Sequence, residues 1–285
     1  MKKTVIVTDS TADIPDKMLE EYGIYTVPLY IHAEGKEYKD KIDISNSEIY
    51  SMLERGLKVK TSAPSPKDFL ELYKKVLEDD SGADIISIHI SSKLSNTIDS
   101  ANLAKSKLLS NVIEIFDSRT VSMSLGLVVL MAARWAKKGL EFETIQKKVQ
   151  DLIEKTKFFA TVENFEYLLK GGRVSGLKKL LNFALKVKPV FITDEGKVKV
   201  SKMTRTRNSS IEKIVSEFVL AFSGKKVIAS IFYGDDLDAA KQLKQSISER
   251  PEVQIEEMIF TEITPVIGTH SGPSIIGISA IPVES

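Results

Sequence analysis

The chain has 285 residues, 42% hydrophobic and 28% charged, enough apolar side chains for one large or two ordinary cores. Forty Lys+Arg against 39 Asp+Glu leave a net charge of +1, which argues against coating nucleic acid or a membrane through bulk charge. With no cysteine there is no disulfide, thiolate nucleophile, Cys-liganded zinc or iron–sulfur cluster.

The opening MKKTVIVTDSTADIP reaches Asp9 after a short apolar run; it lacks the apolar stretch of a secretory signal, and a cytoplasmic location is expected. Val- and Ile-rich runs at Thr4 to Val7, Asp84 to Ile90 and Val112 to Phe116, each followed by a helix-like segment, give a βαβ pattern and a parallel sheet. Tyr25 to Tyr38, with Gly35 after Ala33 and Glu34, reads as a hairpin that gives this sheet an irregular edge. Ser65 and Pro66 form an N-cap and first-turn proline. Leu125 to Ala133 stops at Arg134, well short of the roughly 20 residues that span a bilayer, and is read as a buried helix. Ile145, Val149, Leu152 and Ile153 share one helical face.

Near Lys157 the pattern changes. Residues 1–157 are expected to form an N-terminal parallel-sheet α/β domain. Residues 158–285 are expected to form a mixed-sheet α/β domain, with a hairpin at ITDEGKVKV and helices near Ser209 to Ala221 and Asp236 to Ser248. The linker is short, so the two domains share a cleft.

The chain contains no G-x-G-x-x-G, P-loop, G-x-S-x-G or H-E-x-x-H signature. His32, His89 and His270 lack local metal-site spacing, and His89, in an apolar strand, reads as structural. Instead, hydroxyl-rich loops recur between strands and helices: Thr8 to Thr11, Thr61-Ser62 with Ser65, Ser91 to Thr97, and Asp117-Ser118. Each one alone reads as a helix cap. Gathered at the carboxyl edge of a parallel sheet, they suit an anionic oxygen group. Two glycine-flanked polar segments, Leu168 to Gly176 and Gly268 to Pro273, are either close-approach loops or simple turns.

The ordered set TDSTADIP, TSAPSP, SSKLSNT, DSRTVSMSLG, LLKGGRVSG and GTHSGP resembles the DegV family over essentially the whole chain. Asn96 stands where the family has a glycine, and no hydroxyl is lost. The resemblance implies a two-domain α/β protein binding one long-chain fatty acid as ligand at the domain interface, without a cofactor, metal or catalytic machinery of its own. It further implies that the protein acts as the lipid-presenting partner of a separate ATP-dependent fatty acid kinase subunit in phospholipid metabolism. By similarity Thr61 and Ser95 bond the carboxylate, with His270 and Arg173 beside it; Ser62 and Ser10 are weaker candidates. Two rival readings stand: a serine-dependent acyl hydrolase using Ser95 with His270, and a regulatory module binding another oxyanion. Between Leu168 and Arg207 lie eleven basic residues against Asp194 and Glu195. Arg173, Lys178, Lys179 and Lys202 are therefore expected to face a kinase subunit or, transiently, an anionic membrane surface.

Overall fold

The computed structural model describes residues 2–108, 113–177 and 187–283. A parallel four-stranded sheet comes first, built from β1 (Thr4–Asp9), β2 (Tyr25–Val27), β6 (Asp84–His89) and β7 (Ile113–Asp117) in the order β2-β1-β6-β7. Its strands are near-continuous Val/Ile runs because both faces are covered.

Between β2 and β6 a separate antiparallel sheet intervenes, with β3 (Tyr30–Ala33) between β4 (Lys36–Lys39) and β5 (Lys60–Ser62). The hairpin expected from Tyr25 is confined to β3–β4; Tyr25–Val27 instead pairs parallel to β1, and β3–β4 forms no edge of the first sheet. Its turn puts Glu34 and Gly35 at φ 51° and 75°, the two left-handed residues of a tight hairpin.

Helices α1 (Asp16–Tyr22), α2 (Asn46–Glu54), α3 (Pro66–Asp79) and α4 (Thr97–Lys105) complete this part. The start of α3 is a capping box: Ser65 Oγ accepts from Asp68 N, the Asp68 carboxylate accepts from Ser65 N, and Pro66 takes the first turn.

Helix α5 (Met123–Lys137) is buried from Met123 to Leu130, apolar all round because it is held between two sheets. It packs on β1 and β6 of the first sheet and on β12 (Lys226–Tyr233) and β14 (Ile276–Pro282) of the second. Gly126 permits this closeness, since a Cβ there would stand 2.4 Å from the Ala12 carbonyl. Helix α6 (Phe142–Lys155) buries the expected Ile145, Val149, Leu152 and Ile153 face, but packs on α5 and β14, not on the parallel sheet.

From β8 (Lys157–Thr161) onward the chain builds a seven-stranded mixed sheet, adding β9 (Val174–Ser175), β10 (Lys188–Asp194), β11 (Lys197–Thr204) and β13 (Gln254–Glu262). The β10–β11 pair is the expected hairpin. Helices α8 (Arg207–Phe222) and α9 (Leu237–Ser248) cover one face; α7 (Glu166–Gly171) and α10 (Pro265–Ser271) lie at the junction with the first part. One apolar cluster runs from Ile6 and Ile86 through α5 to Phe232 and Ile281, joining both sheets into a common core. Among the described residues, no helix is long and apolar enough to cross a membrane.

Candidate functional site

A cavity of about 450 Å³ lies between the loops after β5 and β6, the face of the mixed sheet and α10. That volume is within the usual small-molecule range of about 300–1,000 Å³. Its walls are aliphatic and aromatic, including Val121, Phe191, Val198 and Ile275, with Phe158 and Phe232 stacked 5.3 Å apart. Thr61, Ser62, Ser95, Arg173 and His270 also line it.

Thr61 sits on β5, opposite Ile31 of β3, and its Oγ1 is 2.7 Å from Nε2 of His270. These residues are 209 apart in sequence. The hydroxyl pair Thr61-Ser62 thus belongs to the small antiparallel sheet, not to the carboxyl edge of the parallel sheet as its loop pattern suggests. Ser95 follows β6 in a turn closed by its N–H on the Ser91 carbonyl, and its hydroxyl pairs with that of Thr97 at 2.9 Å. Ser62 pairs with His32 Nε2 at 2.8 Å. Ser10 stands outside the cavity lining; its buried hydroxyl accepts from Leu29 N, fixing the β2–β3 connection. Asp117-Ser118 is a loop clasp, in which the Asp117 carboxylate accepts from Ser92 and from Arg119 N.

The segment Gly268-Thr269-His270 is the body of α10, not a turn. Gly268 is there because Tyr50 packs on it, a Cβ being 3.0 Å from the ring. The two glycine motifs then explain each other. A Cβ on Gly171 of α7 would stand 2.6 Å from His270 Nδ1, and one on Gly272 would stand 2.2 Å from Tyr167 of α7. Gly171 makes room for the His270 ring and Gly272 for the ring of Tyr167, just ahead of the first motif, so α7 and α10 meet closely and His270 is wedged between β5 and α7.

The far end of α10 is anchored by two carboxylates that the sequence reading did not single out. Asp13, at φ 54°, accepts from Thr264 N at 2.8 Å and from Ser122 Oγ at 2.5 Å. Asp40 accepts from Val266 N at 2.9 Å. Burial pushes Asp13 up to about 7 and Asp40 up to about 6. They take up N–H groups that the first turn of α10 leaves without helical partners.

His270 is half-buried, and burial followed by the Arg173 cation pushes its imidazole down to about 4, so the ring is neutral at pH 7. Its Nδ1 is buried without a hydrogen-bond partner among the described residues. The arrangement with least cost puts the proton on Nε2: Nε2–H donates to Thr61 Oγ1, Nδ1 keeps only a lone pair, and the Thr61 proton is free to point into the cavity. The cavity lining therefore offers the Thr61 hydroxyl beside a neutral imidazole, with the Ser95 hydroxyl and the Arg173 guanidinium among the other lining groups.

An Asp–His–Ser chain exists elsewhere: Asp9 accepts from His89 Nδ1 at 3.0 Å, and His89 Nε2 is 2.7 Å from Ser87 Oγ. All three residues are fully buried beneath α3, so no substrate reaches them. Ser95, the serine of the hydrolase reading, pairs with Thr97, while His270 pairs with Thr61. Among the described residues there is no group of three or more His, Cys, Asp or Glu placed to hold a metal.

The family model described as "Uncharacterised protein, DegV family" matches residues 3–283. The chain belongs to the DegV family. A DegV domain-containing protein of Staphylococcus aureus is 35% identical over 280 residues, covering 98% of both chains. A DegV family protein from Thermus thermophilus, solved under the description of fatty acid binding, superposes with a TM-score of 0.93 at 31% identity, over 99% of this chain and 100% of that one. A stearic acid-binding protein from Eubacterium ventriosum gives a TM-score of 0.87 at 27% identity, over 99% and 98% of the two chains. The expected α/β architecture, with a parallel-sheet N-terminal part and a mixed-sheet C-terminal part, is that of this DegV protein.

Of the expected partner-facing residues, Arg173 lines the cavity, with Nη1 donating to Gly171 O at 2.8 Å, and Lys202 is exposed on β11. Lys178 and Lys179 lie outside the described residues. Part of the basic segment is neutralised: Lys188 pairs with Glu163, Lys199 with Asp194, and Arg207 with Asp236.

Proposed function

We propose that this DegV protein binds one long-chain fatty acid, with its carboxylate at Thr61 and Ser95 beside His270 and Arg173 and its acyl tail in the apolar cavity. The bound acid is then presented to a separate ATP-dependent kinase subunit. The observation that carries this reading is the Thr61–His270 pair in the wall of a 450 Å³ chamber that joins a hydroxyl-rich side, with Ser62, Ser92, Ser95 and Arg173, to aliphatic and aromatic walls. A buried carboxylate is costly unless hydrogen-bonded or paired, and two hydroxyls with a guanidinium nearby meet that need. At about 0.8 kcal/mol per buried CH₂, a tail of about fifteen methylenes contributes about 12 kcal/mol before the costs of association. Tail burial sets affinity, and the hydroxyls set which end faces out. Fatty acid ligands of the Thermus and Eubacterium relatives support the same reading.

In this reading the protein positions a carboxylate for chemistry done on the partner. Arg173, Lys178, Lys179 and Lys202 supply charge for docking the kinase subunit and for transient contact with an anionic membrane surface, both weakened by salt. The test is stearic acid uptake by wild type and by the Thr61→Ala/Ser95→Ala variant. Wild type is expected to take up one equivalent, and the double variant, folded to the same melting temperature within a few degrees, to retain it poorly. Equal retention by the two proteins would remove the head-group assignment.

A further inference from the structure

The mixed sheet forms one wall of the chamber, and its strand register gives that wall a depth scale. β14 sets out just beyond the end of α10, and residues two apart along it share a face. In the first row on the face toward the chamber, Gly277 stands between Ala160 of β8 and Phe232 of β12; in the next row, Ser279 stands between Phe158 and Ser230. Ile275, Ala160, Phe232 and Phe158 line the chamber. At about 3.3 Å per residue, the second row lies about 13 Å along the strand from Ile275.

The Phe232 ring occupies the space that Gly277 leaves open. A Cβ at position 277 would stand 2.2 Å from Phe232 Cζ and 2.4 Å from the Phe159 carbonyl oxygen. The ring therefore leans across β14 and stacks on Phe158, with centroids 5.3 Å apart and planes at 16°. In the second row the sheet face turns polar and α5 comes down on it. Ser279 Oγ is 2.7 Å from Ser124 Oγ of α5, and Ser230 Oγ is buried without a hydrogen-bond partner among the described residues. All three serines are fully buried. Up to the rings, each methylene of a tail exchanges water for apolar wall. A carbon forced past them would have to part the Ser124–Ser279 pair and leave further hydroxyls unsatisfied.

We propose that the stacked Phe158–Phe232 pair, seated on Gly277 and backed by the serine row, is the stop against which the methyl end of the acyl tail rests, and that it sets the longest chain this protein accepts. This rests on the fatty acid reading of the chamber and assigns its chain-length specificity to two residues. Enlarging the space at the stop then shifts the accepted length upward, and filling it shifts the length downward, with the head-group residues untouched.

The test is a chain-length series. Lipid-stripped wild type, Phe232→Ala and Phe158→Trp are titrated calorimetrically with straight saturated acids from lauric to behenic. Wild-type affinity is expected to climb with each added methylene and then break off at one length. In Phe232→Ala the break moves to longer acids, and the acid two carbons past the wild-type limit binds about tenfold more tightly than it does to wild type. In Phe158→Trp the break moves to shorter acids, and the acid at the wild-type limit binds about tenfold more weakly, while shorter acids stay within about threefold. Phe232→Leu, which keeps much of the buried volume, replaces Phe232→Ala if that variant does not fold. A break at the same length in all three proteins, with affinity lowered evenly across the series, would make the ring pair ordinary core packing and overturn the stop. If wild type binds no acid of any length, the fatty acid reading fails separately, and 1-alkanols of the same lengths decide the stop by the same criterion.

Discussion

Two polar clusters buried in this molecule contain a histidine, and they differ in whether their hydrogen bonds close. Under the parallel sheet, Asp9, His89, Ser87 and Tyr73 form a chain in which the carboxylate accepts from His89, Ile90 N and Thr11, and the far end terminates on Tyr73 OH. Phe69 seals it edge-on against the His89 ring. Around α10, by contrast, Asp40 Oδ2, Tyr50 OH, Thr264 Oγ1 and His270 Nδ1 are buried without hydrogen-bond partners among the described residues. A closed network orders a core. An open one leaves capacity for protons, water or ligand, and here it stands next to the cavity.

Breaking the closed cluster has the largest expected effect. His89→Ala removes one buried partner from Asp9 and one from Ser87 and leaves a cavity under Phe69, and should cost about 3–5 kcal/mol of unfolding free energy, measured by urea denaturation. Stearic acid affinity of the folded fraction should not change. A loss of binding without a loss of stability would make His89 part of the site and erase the contrast.

The open cluster should reveal itself through pH. Asp13 and Asp40, raised to about 7 and about 6, hold protons in the folded state that the unfolded chain releases near pH 4. Their stabilisation is full at low pH and is lost as pH rises through those values. His270, lowered to about 4, acts oppositely: the unfolded chain takes up its proton below about 6.5, so its contribution is present above that pH and is lost as pH falls toward 4. Two carboxyl groups outweigh one imidazole, so wild type should lose stability between pH 4.5 and 6. In Asp13→Asn/Asp40→Asn the imidazole remains and the slope should invert. Denaturation midpoints at the two pH values check this, and parallel slopes would mean that the carboxyl groups do not titrate in the folded protein.

A finer distinction separates hydroxyl from packing. Thr61→Val keeps the shape of β5 but removes the donor aimed at the carboxylate, and should weaken stearic acid binding about tenfold or more with little change in melting temperature. The smallest effect belongs to the surface. Lys202→Glu on exposed β11 should leave fatty acid content unchanged and slow kinase-dependent acyl phosphate formation about twofold at low salt, the difference fading as salt rises; an unaltered rate at low salt would leave Lys202 as plain solvated surface.

Much of this was legible in the chain. The Val/Ile strands, the Ser65-Pro66 helix start and the turn at Glu195-Gly196 are local signals, and the structure carries β1, β6, α3 and the β10–β11 hairpin where they fall. The all-apolar Leu125 to Ala133 run announced burial, though not that two sheets share it. What local patterns could not convey is pairing across distance. Gly268 to Pro273 reads from sequence as either a close-approach loop or a simple turn, whereas Gly268 to Ser271 lie in α10, and Gly268 and Gly272 are small to admit Tyr50 and Tyr167. Asp13 and Asp40 carry no local signal, because the N–H groups they receive lie more than two hundred residues away.

The most direct measurement is organic extraction of the purified protein followed by mass spectrometry of what is released. Close to one equivalent of a long-chain fatty acid per chain is expected, with short-chain acids absent because each missing CH₂ removes about 0.8 kcal/mol. A lipid-free extract from protein that also fails to take up added stearic acid would contradict it.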